Sequence, residues 1–162
     1  KAENLDELRH ATMAIDNIVN VEMALHIEYC SGWGIDVKSM STELEDLANI
    51  AYTRFVLDCG QKGDLLDLMT ALAPCVIGYA EIGRTLSDDP TTKRDHNPYL
   101  SWIEMYSGDE YQDVSKSAVA ELEALATRRG GEIRFNSLSK IFNNATQLET
   151  AFWDMGWKQQ KI

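Results

Sequence analysis

A chain of 162 residues, 44% hydrophobic and 25% charged, is long enough to close a core of ordinary globular composition. Its net charge of −11 sets it against nucleic-acid backbones and anionic membranes, and the short basic pairs Lys93-Arg94 and Arg128-Arg129 build no counter-stripe. The longest uncharged apolar run, Leu68 to Ala80, falls short of the roughly 18 residues a membrane span needs and contains Pro74.

Few β-branched runs and only three prolines make helix the predicted state, and the fold class all-α. From Asn4 to Tyr29 apolar residues recur at helical spacing, and Ser31-Gly-Trp-Gly34 stops the helix with glycine punctuation. Ser41 or Thr42, followed by Glu43 and Glu45, predicts the capped start of a second helix ending near Cys59-Gly60. A third, from Asp64 to about Leu86, is apolar almost all round and belongs at the centre of a bundle. Within it Gly78 and Gly83 predict close approach of a neighbour, and Pro74 removes one backbone donor and predicts a bend. Ser87 to Pro98 reads as a loop, Tyr99 to Tyr106 as a short helix. Asp109 to Ala126 and Phe135 to Lys158 read as two longer helices around Arg128-Arg-Gly-Gly131. The expectation is a single domain over 1–162, a bundle of about six helices.

Two segments carry side chains that are costly to bury. Ala71 to Tyr79 puts a thiol, Cys75, directly after Pro74, with Tyr79 one turn on along the same face. A buried thiol is ordinarily a small hydrophobe, and Cys30 and Cys59 read that way. Cys75 reads either so or as a nucleophile beside an opened backbone. The three cysteines are odd in number and lack C-x-x-C spacing, which suits thiols in a reducing, cytoplasmic compartment. Leu148 to Gly156 puts Glu149 beside an apolar stripe. It reads either as a boundary carboxylate, solvated or paired with lysine, or as a buried proton donor among aromatics. Tyr52, Trp102, Tyr106 and Trp153 could stack on a flat ligand, but aromatics at helical spacing are more often core. Glu7-x-x-His10 is half of a di-iron motif without its second copy, and His26 and His96 lack ligand company. No metal constellation, glycine-rich phosphate loop or Ser-His-Asp set is present.

Leu72-Ala-Pro-Cys75-x-x-x-Tyr79, Trp102-Ile-x-x-Tyr106, Leu148-Glu-x-x-Phe-Trp-Asp-Met155 and Ala51-Tyr-Thr53, in this order and spacing, resemble the TenA family, also called thiaminase II. Gly78-Tyr-x-Glu-Ile-Gly83 looks most like fungal members, which are often fused behind a hydroxymethylpyrimidine phosphate kinase domain. The resemblance implies a haem-oxygenase-like helical bundle without haem, assembled as a homotetramer. It also implies hydrolysis at the exocyclic methylene of 4-aminopyrimidines, thiamin and its aminomethylpyrimidine breakdown product among them. Cys75 falls at the family's nucleophile and Glu149 at its acid–base glutamate. Tyr52, Tyr79 and Tyr106 fall where the family contacts the pyrimidine or supports the thiol. No metal or organic cofactor is implied.

One departure accompanies the resemblance. The family's Tyr/Asp-rich N-terminal segment, whose aspartate holds the aminopyrimidine, has no match in Lys1 to Asn20, and the chain begins without methionine. The expectation is a chain lacking the family's N-terminal helices and incomplete as a catalyst. The alternative reading is a non-catalytic pyrimidine-binding or assembly module.

Overall fold

A computed structural model describes residues 1–158, and the chain clusters into two compact units, Lys1–Glu45 and the segment from Asp46 onward. Every regular element among the described residues is helical, as the composition predicts. The described residues form eight α-helices and one π-helical turn rather than six helices.

In the first unit, α1 (Leu5–Asn17) starts at Asn4, whose side chain accepts the Glu7 N–H at 2.9 Å. It leads into a five-residue π turn, Ile18–Glu22, and then α2 (Met23–Gly32). The predicted single helix is therefore continuous but changes register. The π turn adds a residue and rotates later apolar positions off the stripe begun by Leu5 and Leu8. Gly34, at φ 77°, takes the left-handed conformation, and the Ile35 N–H closes on the Cys30 carbonyl at 2.9 Å. A short helix, α3 (Val37–Thr42), starts at Asp36. The Ser39 backbone N–H, 2.7 Å from that carboxylate, holds it below the usual carboxylate range.

That short helix overturns one predicted boundary. Ser41 and Thr42 lie inside α3, and their hydroxyls turn back to the Lys38 carbonyl at 2.9 and 3.1 Å, as helical Ser and Thr do. The acceptor left for the next helix is Asp46, which takes the Ala48 N–H at 2.8 Å and starts α4 (Leu47–Lys62). α4 runs past the predicted stop at Gly60 and ends against Gly63, where the Asp67 carboxyl occupies the space of a side chain.

The second unit is organised on α5 (Leu65–Asp88), which continues through Pro74 without a break. Its start is a reciprocal capping box. Asp64 accepts the N–H groups of Leu66 and Asp67 at 2.9 and 3.2 Å, and Asp67 accepts the Asp64 N–H at 2.8 Å. α6 (Leu100–Ser107), α7 (Asp109–Arg128) and α8 (Gly131–Lys158) all pack on α5, and α4 packs on both α5 and α8. Leu66, Leu125 and Leu138 form the buried centre, flanked by Leu65, Met69, Leu122 and Ala126. α5 also carries an 18-residue stretch long and apolar enough to cross a membrane, more than the run Leu68 to Ala80 suggested. The core helix of a bundle passes the same test, and α5 contacts α4, α6, α7 and α8, with 39% of that stretch buried.

Gly83 and Gly78 differ. A Cβ on Gly83 would meet the Cβ of Tyr106 at 2.7 Å and its backbone carbon at 2.8 Å, so glycine there is a condition of the α5–α6 approach. At Gly78 nothing lies within 4 Å, and no close approach explains that glycine. α8 starts four residues before the predicted Phe135, because Gly130 turns at φ 67° and Gly131 packs directly on Ala126.

Arg134 of α8 clamps the start of α5, reaching Asp64 at 2.8 Å and Asp67 at 2.7 Å. Burial works against the Asp64 charge. The hydrogen bond from Arg134 and the capping N–H groups outweigh it, so the carboxyl sits below its ordinary range. Replacing Arg134 by methionine is expected to lower unfolding free energy by about 1–3 kcal/mol at neutral pH. A folded carboxyl held low stabilises above its unfolded titration and loses that benefit as pH falls. The gap between the two proteins in urea melts should therefore narrow in acid.

Candidate active site

Four helices bring polar side chains to one place. α5 presents Cys75 and Tyr79, four residues apart and so on one face. α4 contributes Tyr52, α8 contributes Glu149 and Trp153, and α6 contributes Trp102 and Tyr106.

Glu149 is buried, at 8% exposure, which rules out the solvated boundary carboxylate among its two sequence readings. Its Oε1 accepts the Tyr79 O–H at 2.5 Å and the Trp153 indole N–H at 3.1 Å. Its Oε2 is buried and accepts no hydrogen bond. The Tyr52 hydroxyl is likewise buried and meets Glu149 and Cys75 only outside good hydrogen-bond geometry. Leaving each such group unsatisfied costs about 1–3 kcal/mol, and in native proteins that cost commonly marks a functional position.

Burial is the main cause that raises both phenols far above the ordinary tyrosine range. The hydrogen-bonding and charge of Glu149 add to it, and so does the charge of a Cys75 thiolate. Tyr52 and Tyr79 therefore each sense both the sulfur and the carboxyl, which places Cys75 and Glu149 in one electrostatic environment. The Cys75 thiol donates to the Leu72 carbonyl of its own helix at 3.1 Å. Cys30, Cys59 and Cys75 are all outside disulfides.

Aromatic rings wall this environment. Tyr79 meets Tyr106 edge-on with centroids 5.1 Å apart, Trp102 at 5.7 Å and Trp153 at 5.9 Å. Tyr106 sits beside the polar group rather than in it, its ring also 4.5 Å from those of Trp102 and Tyr111. Of the sequence-derived site residues, Tyr52, Cys75, Tyr79 and Glu149 converge, and Tyr106 backs Tyr79.

Sequence reasoning missed Tyr111 and Gln112, and it named Trp153 only as an aromatic ring, not as a donor. The Trp153 N–H was legible in part, since its spacing of four from Glu149 puts it on the same helix face. Tyr111 donates to the Val76 carbonyl at 3.1 Å. Gln112 ties the carbonyls of Ala80 and Tyr106 together at 3.0 and 2.8 Å. Neither of these last two has a local signal. Among the described residues no group of three His, Cys, Asp or Glu side chains is arranged to hold a metal.

The sequence profile of the TENA/THI-4/PQQC family matches residues 1–159. An uncharacterized protein of Haemophilus influenzae is 36% identical over 156 residues, 96% of this chain and 71% of that protein. An aminopyrimidine aminohydrolase of Halalkalibacterium halodurans is 33% identical over 154 residues, 95% of this chain and 65% of that enzyme. A Schizosaccharomyces pombe protein named as a hydroxymethylpyrimidine/phosphomethylpyrimidine kinase is 29% identical, with this chain matching 27% of its length. Among solved structures, a TenA family transcription regulator from Silicibacter sp. TM1040 superposes with a TM-score of 0.83 at 43% identity, covering 96% of this chain and 70% of that one. That likeness bears out the predicted TenA-like, haem-oxygenase-like all-α class.

The raised phenols make an optical prediction. Of the six tyrosines, Tyr52 and Tyr79 should stay protonated through the usual titration near pH ~10 and ionise only as the protein unfolds in alkali. Their contribution to stability is complete below that pH and lost above it. Ultraviolet difference titration should show one late tyrosine fewer in Tyr79→Phe than in the native protein.

Proposed function

This chain belongs to the TENA/THI-4/PQQC family, and from that membership we propose that it is a thiaminase II-type hydrolase acting on 4-aminopyrimidines in thiamin metabolism. The observation that carries the reading is the buried Glu149 carboxyl, held on Oε1 by Tyr79 and left open on Oε2, in the same aromatic-walled environment as the Cys75 thiol. The names of aminohydrolase relatives from three bacteria, 26% to 33% identical, support it. The family match spans both compact units, which supports reading the chain as one domain's sequence.

In this reading Cys75, as thiolate, adds to the electron-poor ring of the aminopyrimidine while Glu149 gives a proton to a ring nitrogen. The ring thus takes up the sulfur without accumulating charge. Ammonia, or the thiazole of thiamin, leaves the exocyclic methylene. Water adds to that carbon, and the C–S bond breaks as the ring regains aromaticity and the proton returns to Glu149. The balance is aminomethylpyrimidine plus water giving hydroxymethylpyrimidine plus ammonia. The aromatic side chains around the carboxyl offer a flat ring surfaces to stack on. Tyr52, Tyr79 and Tyr106 bind the pyrimidine or steady the thiol. A homotetramer follows from the family resemblance and a cytoplasmic location from the cysteine pattern, and sedimentation velocity tests the first.

Incubation with 4-amino-5-aminomethyl-2-methylpyrimidine should release ammonia and the hydroxymethyl product. Cys75→Ser and Glu149→Gln should each lower kcat by roughly two to four orders of magnitude while the circular dichroism spectrum is retained. Turnover by Cys75→Ser at the parent rate would sink the nucleophile assignment and favour a pyrimidine-binding module.

A further inference from the structure

Trp153 lies one turn beyond Glu149 on α8 and is 43% exposed, so its burial contributes less than that of an enclosed indole. Its ring is oriented by edge contacts with Tyr79 and with Trp102, at 5.9 and 5.7 Å between centroids and interplanar angles of 70° and 83°. That orientation points the indole N–H at two acceptors together, Glu149 Oε1 at 3.1 Å and the Tyr79 hydroxyl oxygen at 3.2 Å.

The directions of these bonds are constrained. An indole N–H only donates. A phenol oxygen that accepts from it must send its own hydrogen elsewhere, and the 2.5 Å contact to Oε1 is where that hydrogen goes. Oε1 then receives two donors, which occupy the lone pairs a protonated oxygen would need. Oε2 lies buried with no donor in good hydrogen-bond geometry, and the Tyr52 hydroxyl is a further, poorly aligned polar neighbour of the carboxyl.

We propose that Trp153 is a positioning residue that fixes the Tyr79 hydroxyl on Glu149 Oε1 and so confines the exchangeable carboxyl proton to Oε2. The proposal rests on the reading of Glu149 as the acid–base group and adds which oxygen works and what selects it. Without the indole N–H, the Tyr79 hydroxyl and the carboxyl are free to rotate, and both oxygens compete for the proton.

Two experiments test it. In Trp153→Phe, which keeps a ring and loses the donor, kcat should fall about tenfold with KM changed by less than about twofold. An unaltered kcat, in a preparation whose parent turns over, overturns the proposal and leaves the function standing. The second readout needs no turnover. In a nitrogen-15 NMR spectrum the Trp153 indole N–H, assigned by its loss in Trp153→Phe, should lie downfield. Glu149→Gln should move it upfield and speed its solvent exchange about tenfold. An indole resonance indifferent to Glu149→Gln overturns the proposal. An inactive parent protein with the responsive resonance instead overturns the aminopyrimidine reading alone.

Discussion

A carboxyl on the apolar side of a long helix must find compensation from another element, because water no longer supplies it. Glu149 finds half of it. Tyr79, seventy residues earlier, donates to one oxygen, and Trp153 shares its N–H between that oxygen and the phenol. The second oxygen and the Tyr52 hydroxyl lie in the same buried neighbourhood without well-formed hydrogen bonds. A core selected only for stability would place a donor there or exchange the carboxyl for a hydrocarbon, so the partly satisfied cluster asks for an explanation other than packing.

That cluster depends on how firmly α5 is held. At one end its first turn is closed by the Asp64–Asp67 box and clamped by Arg134 from α8, the helix that carries Glu149. Toward the other end Gly83 lets α6 approach until Tyr106 touches the α5 backbone, which sets the Tyr106 ring against Tyr79. Gln112 then joins the carbonyls of the two helices. The Tyr79–Glu149 bond therefore lies between two anchors that limit sliding of α5 against its neighbours. Pro74 sits between them without ending the helix.

Local chemistry was readable where an element needs only its own residues. The all-α class, the Gly34 stop and the Asp64 start of α5 follow from periodicity, glycine and capping carboxylates. The second helix start was misread because Ser41 and Thr42 satisfy a cap pattern as well as Asp46 does, and their hydroxyls were drawn into α3 by its own carbonyls. The π turn at Ile18–Glu22 left no mark in apolar spacing. The two glycines of α5 look alike in one dimension and differ only in what lies across from them.

The candidate site shows the same division. Ordered motifs named Tyr52, Cys75, Tyr79, Tyr106 and Glu149, and helical spacing paired Cys75 with Tyr79. Whether Glu149 is solvated or buried, which of its oxygens is held, and that Tyr106 stands behind Tyr79 were decided by packing. The reason is range. Backbone propensity and helix periodicity act over a few residues and are written in the local sequence. The burial and hydrogen bonding of a side chain depend on what distant segments place against it, and those contacts exist only once the helices have docked.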